Sequence, residues 1–157
     1  FVTFLLMVID PLKEEVQMVN AGHMAPVVWT AKTKGISEPG EEESGLPIAI
    51  DDGMSYETVN VVMHSGDVAV MYTDGINESM NSDDELFSIE RVRDLVAEGG
   101  GAKAITDRLV EAVRLHVGDG IQEDDMCIVV IERTKNPVPN VTVDGDTADI
   151  EASVTAG

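Results

Sequence analysis

The chain has 157 residues, 43% of them apolar and only 4% aromatic, enough for one domain whose core is filled by aliphatic side chains and eight methionines. Thirty acidic residues against ten basic ones leave a net charge of −20, which excludes nucleic acid and anionic membrane as favoured partners, because phosphate contacts need clustered Lys and Arg. No apolar run approaches the roughly 20 residues of a membrane span, and the single Cys127 excludes an intramolecular disulfide framework.

The first nine residues, FVTFLLMVI, read as a strand. They lack the basic flank and small-residue cleavage site of a signal peptide. A chain that opens directly into an apolar strand is expected to be a domain cut at its N-terminus. Asp10-Pro11 breaks the strand into a turn. Glu15 to Asn20 then alternates, with Val16, Met18 and Asn20 on one face, and is expected to pair antiparallel with the first strand. Ala21-Gly22-His23 turns the chain into a third strand, Pro26 to Thr30, and residues 31–45 are expected to form a solvated loop.

Leu46 to Ile50 is a short apolar segment, Tyr56 to Met63 alternates as a strand, and Ser65-Gly66-Asp67 is a turn. Val68 to Tyr72 is a near-continuous apolar run, as expected of a strand buried on both faces, and it delivers Asp74-Gly75 to its exit. Two helices follow. The first takes Ser88 as N-cap, lines Ile89, Val92, Leu95 and Val96 along one face and stops at Gly99. The second runs from Lys103 to Val117 with Ile105, Leu109, Ala112, Val113 and His116 as its apolar stripe, and Gly118-Asp119-Gly120 ends it. Met126 to Glu132 is a closing strand in which Cys127 reads as a small core residue. Residues 1–133 thus form the domain, and residues 134–157, acidic with scattered Pro, are expected to be a flexible tail or linker.

Two places put carboxylates at the ends of buried apolar strands: Asp74 after Val68–Tyr72, and Asp124-Asp125 before Met126. Desolvating an unpaired carboxylate is costly, so such a placement calls for a compensating charge. Hard divalent cations such as Mg²⁺ or Mn²⁺ supply it through oxygen ligands. Glu78 joins the same side if the chain coils after Asp74. Spacing alone leaves open an ordinary turn at Asp74-Gly75, sharpened by the glycine, and a strand-edge cap at Asp124-Asp125. Of the histidines, His23 fits a turn residue satisfied by backbone hydrogen bonds, His64 a solvated one and His116 a packed, hydrogen-bonded one.

In order along the chain, FVT, Asn20-Ala21-Gly22-His23, LPIAI, Ser65-Gly66-Asp67, YTDGINE and QEDDM resemble the SpoIIE/RsbU-type serine/threonine phosphatases of the PP2C (PPM) superfamily. The match covers roughly Phe1 to Arg133. The resemblance implies an α+β fold, an α/β/β/α sandwich of antiparallel sheets flanked by helices, of which this chain holds the C-terminal part. It implies hydrolysis of phosphoserine or phosphothreonine on a regulatory protein of the anti-sigma-factor antagonist type, with two Mn²⁺ or Mg²⁺ ions per complete site. Asp74 resembles the family's metal-binding aspartate in YTDG, and Asp124 resembles the other late ligand. Asp125 stands where many relatives have Asn and ranks behind it. Glu78 matches an acid linked to a third, weaker metal. Asn20-Ala21-Gly22-His23 matches a signature near the site, with Gly22 conformational and His23 close to the centre.

The family's first half, which supplies the acid bridging the two metals in a GDVSGHG-like motif, has no counterpart in residues 1–157. The chain is therefore expected to hold an incomplete centre, with the missing N-terminal half or an upstream sensor as partner and a cytoplasmic setting. A truncated sandwich exposes sheet edges and core faces, which invites homo-oligomers. Ala49 stands where the family usually has Gly, and Ser88 and Cys127 replace common Gly and Thr; all three are expected to be tolerated. The competing expectation is a catalytically inactive phosphatase-like module that binds partners. A calcium loop at Asp144-Gly145-Asp146 lacks the required spacing and the bidentate Glu.

Overall fold

The computed structural model describes residues 1–10, 13–118, 120, 124–134 and the backbone of 153–156. The Pro11 turn, the Asp144-Gly145-Asp146 segment and most of the expected tail lie outside the described residues. Among the described residues, eight strands and three helices run in the order β1 (Phe4–Asp10), β2 (Glu15–Ala21), β3 (Val27–Thr30), β4 (Gly35–Ser37), β5 (Val59–Val62), β6 (Val68–Tyr72), α1 (Asp74–Asn77), α2 (Ile89–Ala97), α3 (Gly101–Val117), β7 (Cys127–Glu132) and β8 (Ser153–Ala156). They form a three-stranded sheet, β1-β2-β5, and a five-stranded sheet, β4-β3-β6-β7-β8, with antiparallel pairing throughout. β4 lies within the stretch expected to be a solvated loop, and β8 lies within the expected tail.

Two cores explain the layering. Val16, Val28, Met63 and Ala69 meet between the sheets, with Met7 and Val61 packed against them. Val68, Val70 and Tyr72 of β6 face the other way and pack with Val27, Ile128 and Val130 against Ile76, Phe87, Val92, Val96, Ile105, Leu109 and Val113. Burying each of these Val, Leu or Ile side chains contributes about 2 kcal/mol relative to leaving it exposed. The alternation of β2 is as its sequence predicts: Val16, Met18 and Asn20 are buried while Glu15 and Gln17 are exposed. On the outer face of the first sheet Phe4, Leu6, Val8 and Val62 stay exposed. The described layers are therefore sheet, sheet and helices, and among the described residues no helix covers that outer face.

Asp67 closes the end of β6 away from Asp74. It is 3% exposed, its Oδ1 accepts from the Ala31 N–H at 2.8 Å and its Oδ2 from the His64 N–H at 2.7 Å. The two amides give this buried carboxylate the partners that burial demands.

Both helices begin in ways their own sequences do not announce. α3 starts two residues before Lys103, and its N-cap, Gly100, has no side chain; Glu132 of β7 reaches over to accept the Ala102 N–H at 2.8 Å. Ser88 occupies the N-cap position of α2 but makes no capping hydrogen bond. The Glu90 carboxylate in the first turn is held below the usual range first by its own backbone N–H and then by the Ser88 side chain. Ser88 sits at φ 76°, ψ 153°, a region that glycine populates almost alone, and Ala49 likewise has φ 71°. Ser88 and Ala49, the two positions that the family resemblance pairs with Gly, thus have backbone that favours glycine. Relieving the backbone strain at Ser88 is worth about 1–3 kcal/mol, while a new glycine gives back about 0.4–1 kcal/mol through the unfolded chain. Ser88→Gly is expected to stabilise the domain by roughly 1 kcal/mol, seen as a higher urea midpoint at unchanged slope.

Candidate functional site

Strand register gathers the signature segments at one end of the five-stranded sheet. β3 runs antiparallel to β6 with Val27 opposite Val70, and β7 runs antiparallel to β6 with Ile128 opposite Tyr72. The residues entering β3, those leaving β6 and those entering β7 therefore meet at the same edge. These are His23 to Pro26, Thr73-Asp74 and Asp124 to Met126.

Thr73 and Gly75 bring two of these segments into contact. The Thr73 hydroxyl donates to the Asp125 carbonyl at 3.0 Å and accepts the Cys127 N–H at 3.0 Å, while the Thr73 N–H donates to the Cys127 carbonyl at 3.1 Å. Gly75 lies in the first turn of α1 and is buried; a Cβ there would sit 2.5 Å from the Asp125 carbonyl oxygen. The sequence suggests that Gly75 sharpens a turn. Its φ is not in the left-handed region, and the residue is needed instead because the neighbouring backbone leaves no room for a side chain.

Asp74 is the first residue of α1 rather than part of an open turn, and its Oδ1 accepts the Gly75 N–H at 3.1 Å. Asp124 Oδ1 accepts the Asp125 N–H at 2.7 Å. Glu78 ends α1, with its N–H bonded to the Asp74 carbonyl at 2.8 Å, so the coiling that places it one turn beyond Asp74 is present. Asp74, Glu78, Asp124 and Asp125 are all exposed. They are hard-oxygen donors of the kind Mg²⁺ and Mn²⁺ take. Among the described residues, however, no group of three or more His, Cys, Asp or Glu side chains is placed to hold a metal ion. The donors fit such ions in kind and fall short in number.

The Asn20-Ala21-Gly22-His23 turn is clamped by Asn20, an inward strand position within the signature whose clamping role the sequence does not announce. Asn20 is 3% exposed; its Oδ1 accepts the His23 N–H at 2.9 Å and its Nδ2 donates to the carbonyls of His23 at 3.0 Å and Gly40 at 3.3 Å. Gly22 has φ 71°, and a Cβ there would lie 2.7 Å from the Pro47 ring. His23 donates from Nδ1 to the Met24 carbonyl at 3.0 Å, as expected of a turn histidine held by backbone. His64 is solvated and pairs with Glu14 at 3.1 Å. His116 accepts from Arg91 at Nδ1, donates from Nε2 to the Glu85 carbonyl and packs edge-on against Phe87.

Beneath the site, Tyr72 is 3% exposed and its hydroxyl has no hydrogen-bond partner among the described residues. Burial, with the nearby charge of Glu38 adding to it and Arg93 opposing, pushes the phenol up to about 12. Below its unfolded value of about 10 both states keep the proton; above it the unfolded chain releases a proton that the folded chain retains. Stability is therefore expected to fall between pH 10 and about 12 more steeply in the wild type than in Tyr72→Phe, measured by urea denaturation at stepped pH. At Gly75, an added methyl meets backbone rather than a movable side chain. The overpacking cost of about 1–3 kcal/mol exceeds the helix-propensity gain of about 1 kcal/mol. Gly75→Ala is expected to lower the melting temperature and to speed amide exchange at Cys127, read by hydrogen exchange.

The sequence profile of the family Stage II sporulation protein E (SpoIIE) matches residues 1–134. Protein IcfG of Synechocystis is 23% identical over 134 residues, which are 85% of this chain and 21% of that protein. The PP2C phosphatase domain of the cell fate determinant SpoIIE from Bacillus subtilis, solved with a fragment of its regulatory domain, superposes with a TM-score of 0.67 at 23% identity, over 86% of this chain and 39% of that one. The RsbU and RsbW domains of a Mycobacterium tuberculosis protein give 0.65 at 23% identity, over 86% and 37%. The chain thus spans about a fifth of that curated relative and well under half of these two solved chains. With the family profile matching residues 1–134, the chain belongs to the SpoIIE family and shares the fold of that family's solved phosphatase domain.

Proposed function

We propose that this chain is the C-terminal part of a metal-dependent phosphoprotein phosphatase that hydrolyses phosphoserine or phosphothreonine on a regulatory protein of the anti-sigma-factor antagonist type. The observation that carries this is the joining of the two acid-bearing segments, Thr73 to Gly75 and Asp124 to Cys127, at one sheet end through Thr73 and Gly75. Asp74 and Asp124 would hold the metal pair, with Asp125 and Glu78 contributing outer or weaker contacts. Two Mn²⁺ or Mg²⁺ ions, when bound, supply charge neutralisation at the phosphoryl oxygens and an activated water. The backbone N–H groups of Gly75 and Asp125 orient the Asp74 and Asp124 carboxylates for that task. A bridging carboxylate has to come from outside residues 1–157, from an upstream half of the domain, itself joined to a sensor in a cytoplasmic signalling protein.

The shortage of a three-ligand group among the described residues favours a second reading, a phosphatase-like module without catalysis that binds partners. The upstream sequence separates the two, since an intact Asp-x-x-Gly-His-Gly there supports the enzyme. Activity provides the direct test. In the full-length protein, Asp74→Asn is expected to cut Mn²⁺-dependent release of phosphate from a phosphoserine protein by roughly a hundredfold or more, with the thermal melt unchanged. Activity that survives this change would exclude Asp74 as a ligand.

A further inference from the structure

Thr73 stands where β6 ends and α1 begins, at the N-cap position of that helix. A threonine there ordinarily accepts a hydrogen bond from a backbone N–H of the first turn. No such bond forms. The Gly75 N–H goes to Asp74 Oδ1 at 3.1 Å, and the Thr73 carbonyl takes the Ile76 N–H at 3.0 Å.

The hydroxyl is directed instead at the other acid-bearing segment. A hydroxyl has one proton to give, and Thr73 gives it to the Asp125 carbonyl at 3.0 Å while its oxygen accepts the Cys127 N–H at 3.0 Å. The register explains why this position suits the task. Tyr72 pairs with Ile128, so the next opposed residues are Thr73 and Cys127. The Thr73 side-chain oxygen takes the Cys127 N–H that a strand carbonyl would otherwise take. The ladder therefore continues past the end of β6, and the Thr73 carbonyl is released to start α1. A local preference set aside in favour of a long-range contact marks a place where the fold serves its site.

We infer that Thr73 is a positioning residue for the phosphatase centre: its hydroxyl sets the placement of Asp124 and Asp125 relative to Asp74. The inference rests on the proposed role of these acids as metal ligands. Gly75 lets the segments approach, and Thr73 holds them there; Ser79, which bonds the Gly75 carbonyl at 2.6 Å and touches Met126 Sδ at 3.7 Å, adds a weaker link. Removing a group that orients a ligand usually lowers metal affinity without removing any ligand.

Thr73→Val keeps the side-chain shape and removes the hydroxyl, whereas Thr73→Ser keeps the hydroxyl. In the full-length protein, with melts confirming that both variants fold, two quantities are measured. One is amide exchange at Cys127. The other is Mn²⁺ affinity, from paramagnetic broadening of the Asp74 and Asp124 resonances. Thr73→Val is expected to speed Cys127 exchange about tenfold and to weaken Mn²⁺ binding about 10- to 100-fold, with Thr73→Ser returning both to within about threefold of wild type. Wild-type Mn²⁺ affinity in Thr73→Val overturns the inference, as does a Thr73→Ser chain that fails to recover it. A full-length wild type with no broadening at either acid overturns the metal role of Asp74 and Asp124 together with the inference. That failure is distinguishable, because in the first the wild type binds and only the variant is indifferent.

Discussion

β6 has no face open to water, and the rest of the structure is arranged around that constraint. Val68, Ala69 and Val70 are fully buried, with Ala69 turned to the first sheet and its neighbours turned to the helices. A strand in that position cannot carry charge along its length, because a carboxylate withdrawn from water without partners is too costly. Charge is therefore confined to its two ends, and the two ends treat it differently. Asp67 is buried and saturated by the N–H groups of Ala31 and His64, which makes it part of the scaffold. Asp74 is exposed and takes one adjacent N–H, which leaves the rest of its carboxylate facing water. The same residue type thus fastens the sheet at one end and forms a candidate ligand at the other.

The candidate site is held by backbone contacts more than by side-chain chemistry. Asn20 bonds both the N–H and the carbonyl of His23 and reaches Gly40 as well, so one buried amide ties the turn before β3 to the loop after β4. Gly22 against Pro47 and Gly75 against Asp125 are close approaches that only glycine permits. The histidines stay out of this arrangement: His23 binds its neighbour's carbonyl, His64 pairs with Glu14 and His116 joins α3 to the segment leading into α2. The acids therefore remain the candidate chemical groups of the site, in keeping with the proposed function.

The helical layer is fastened to the sheets at points far apart in the chain. Glu132 of β7 caps the start of α3, and Arg93 of α2 grips Glu38 beside β4 at 2.7 Å. Arg108 of α3 donates to the carbonyls of Leu95 and Gly99, satisfying acceptors at the C-terminal end of α2 that the helix itself leaves open. These contacts hold the helices over Val68, Val70 and Tyr72, and so fix the direction in which β6 presents Thr73 and Asp74. The opposite face of the sandwich, with Phe4, Leu6 and Val8 exposed, has no such layer among the described residues.

The sequence by itself determined whatever depends on near neighbours. The apolar run of β6, the alternation of β2 and the stripes of α2 and α3 are set by residues one to four positions apart, and they are legible as periodicities. So was the placement of Asp74 and Asp124-Asp125 at strand ends, because apolar and acidic runs abut there in the chain itself. The tertiary structure decided what depends on partners some 50 residues away. Thr73 looks like an ordinary motif residue until β7 lies alongside it, and Gly75 looks like a turn glycine until the Asp125 carbonyl occupies the space its side chain would need. Ser88 satisfies every local rule for an N-cap, yet the chain entering from Phe87, held in the core, forces a backbone that defeats it. β4 and the cap on α3 share this origin, since neither Gly35–Ser37 nor Gly100 carries a local signal strong enough to show what β3 and Glu132 impose. Strand register, fixed by burial on both faces of β6, chooses which distant residues meet, and no local pattern encodes that choice.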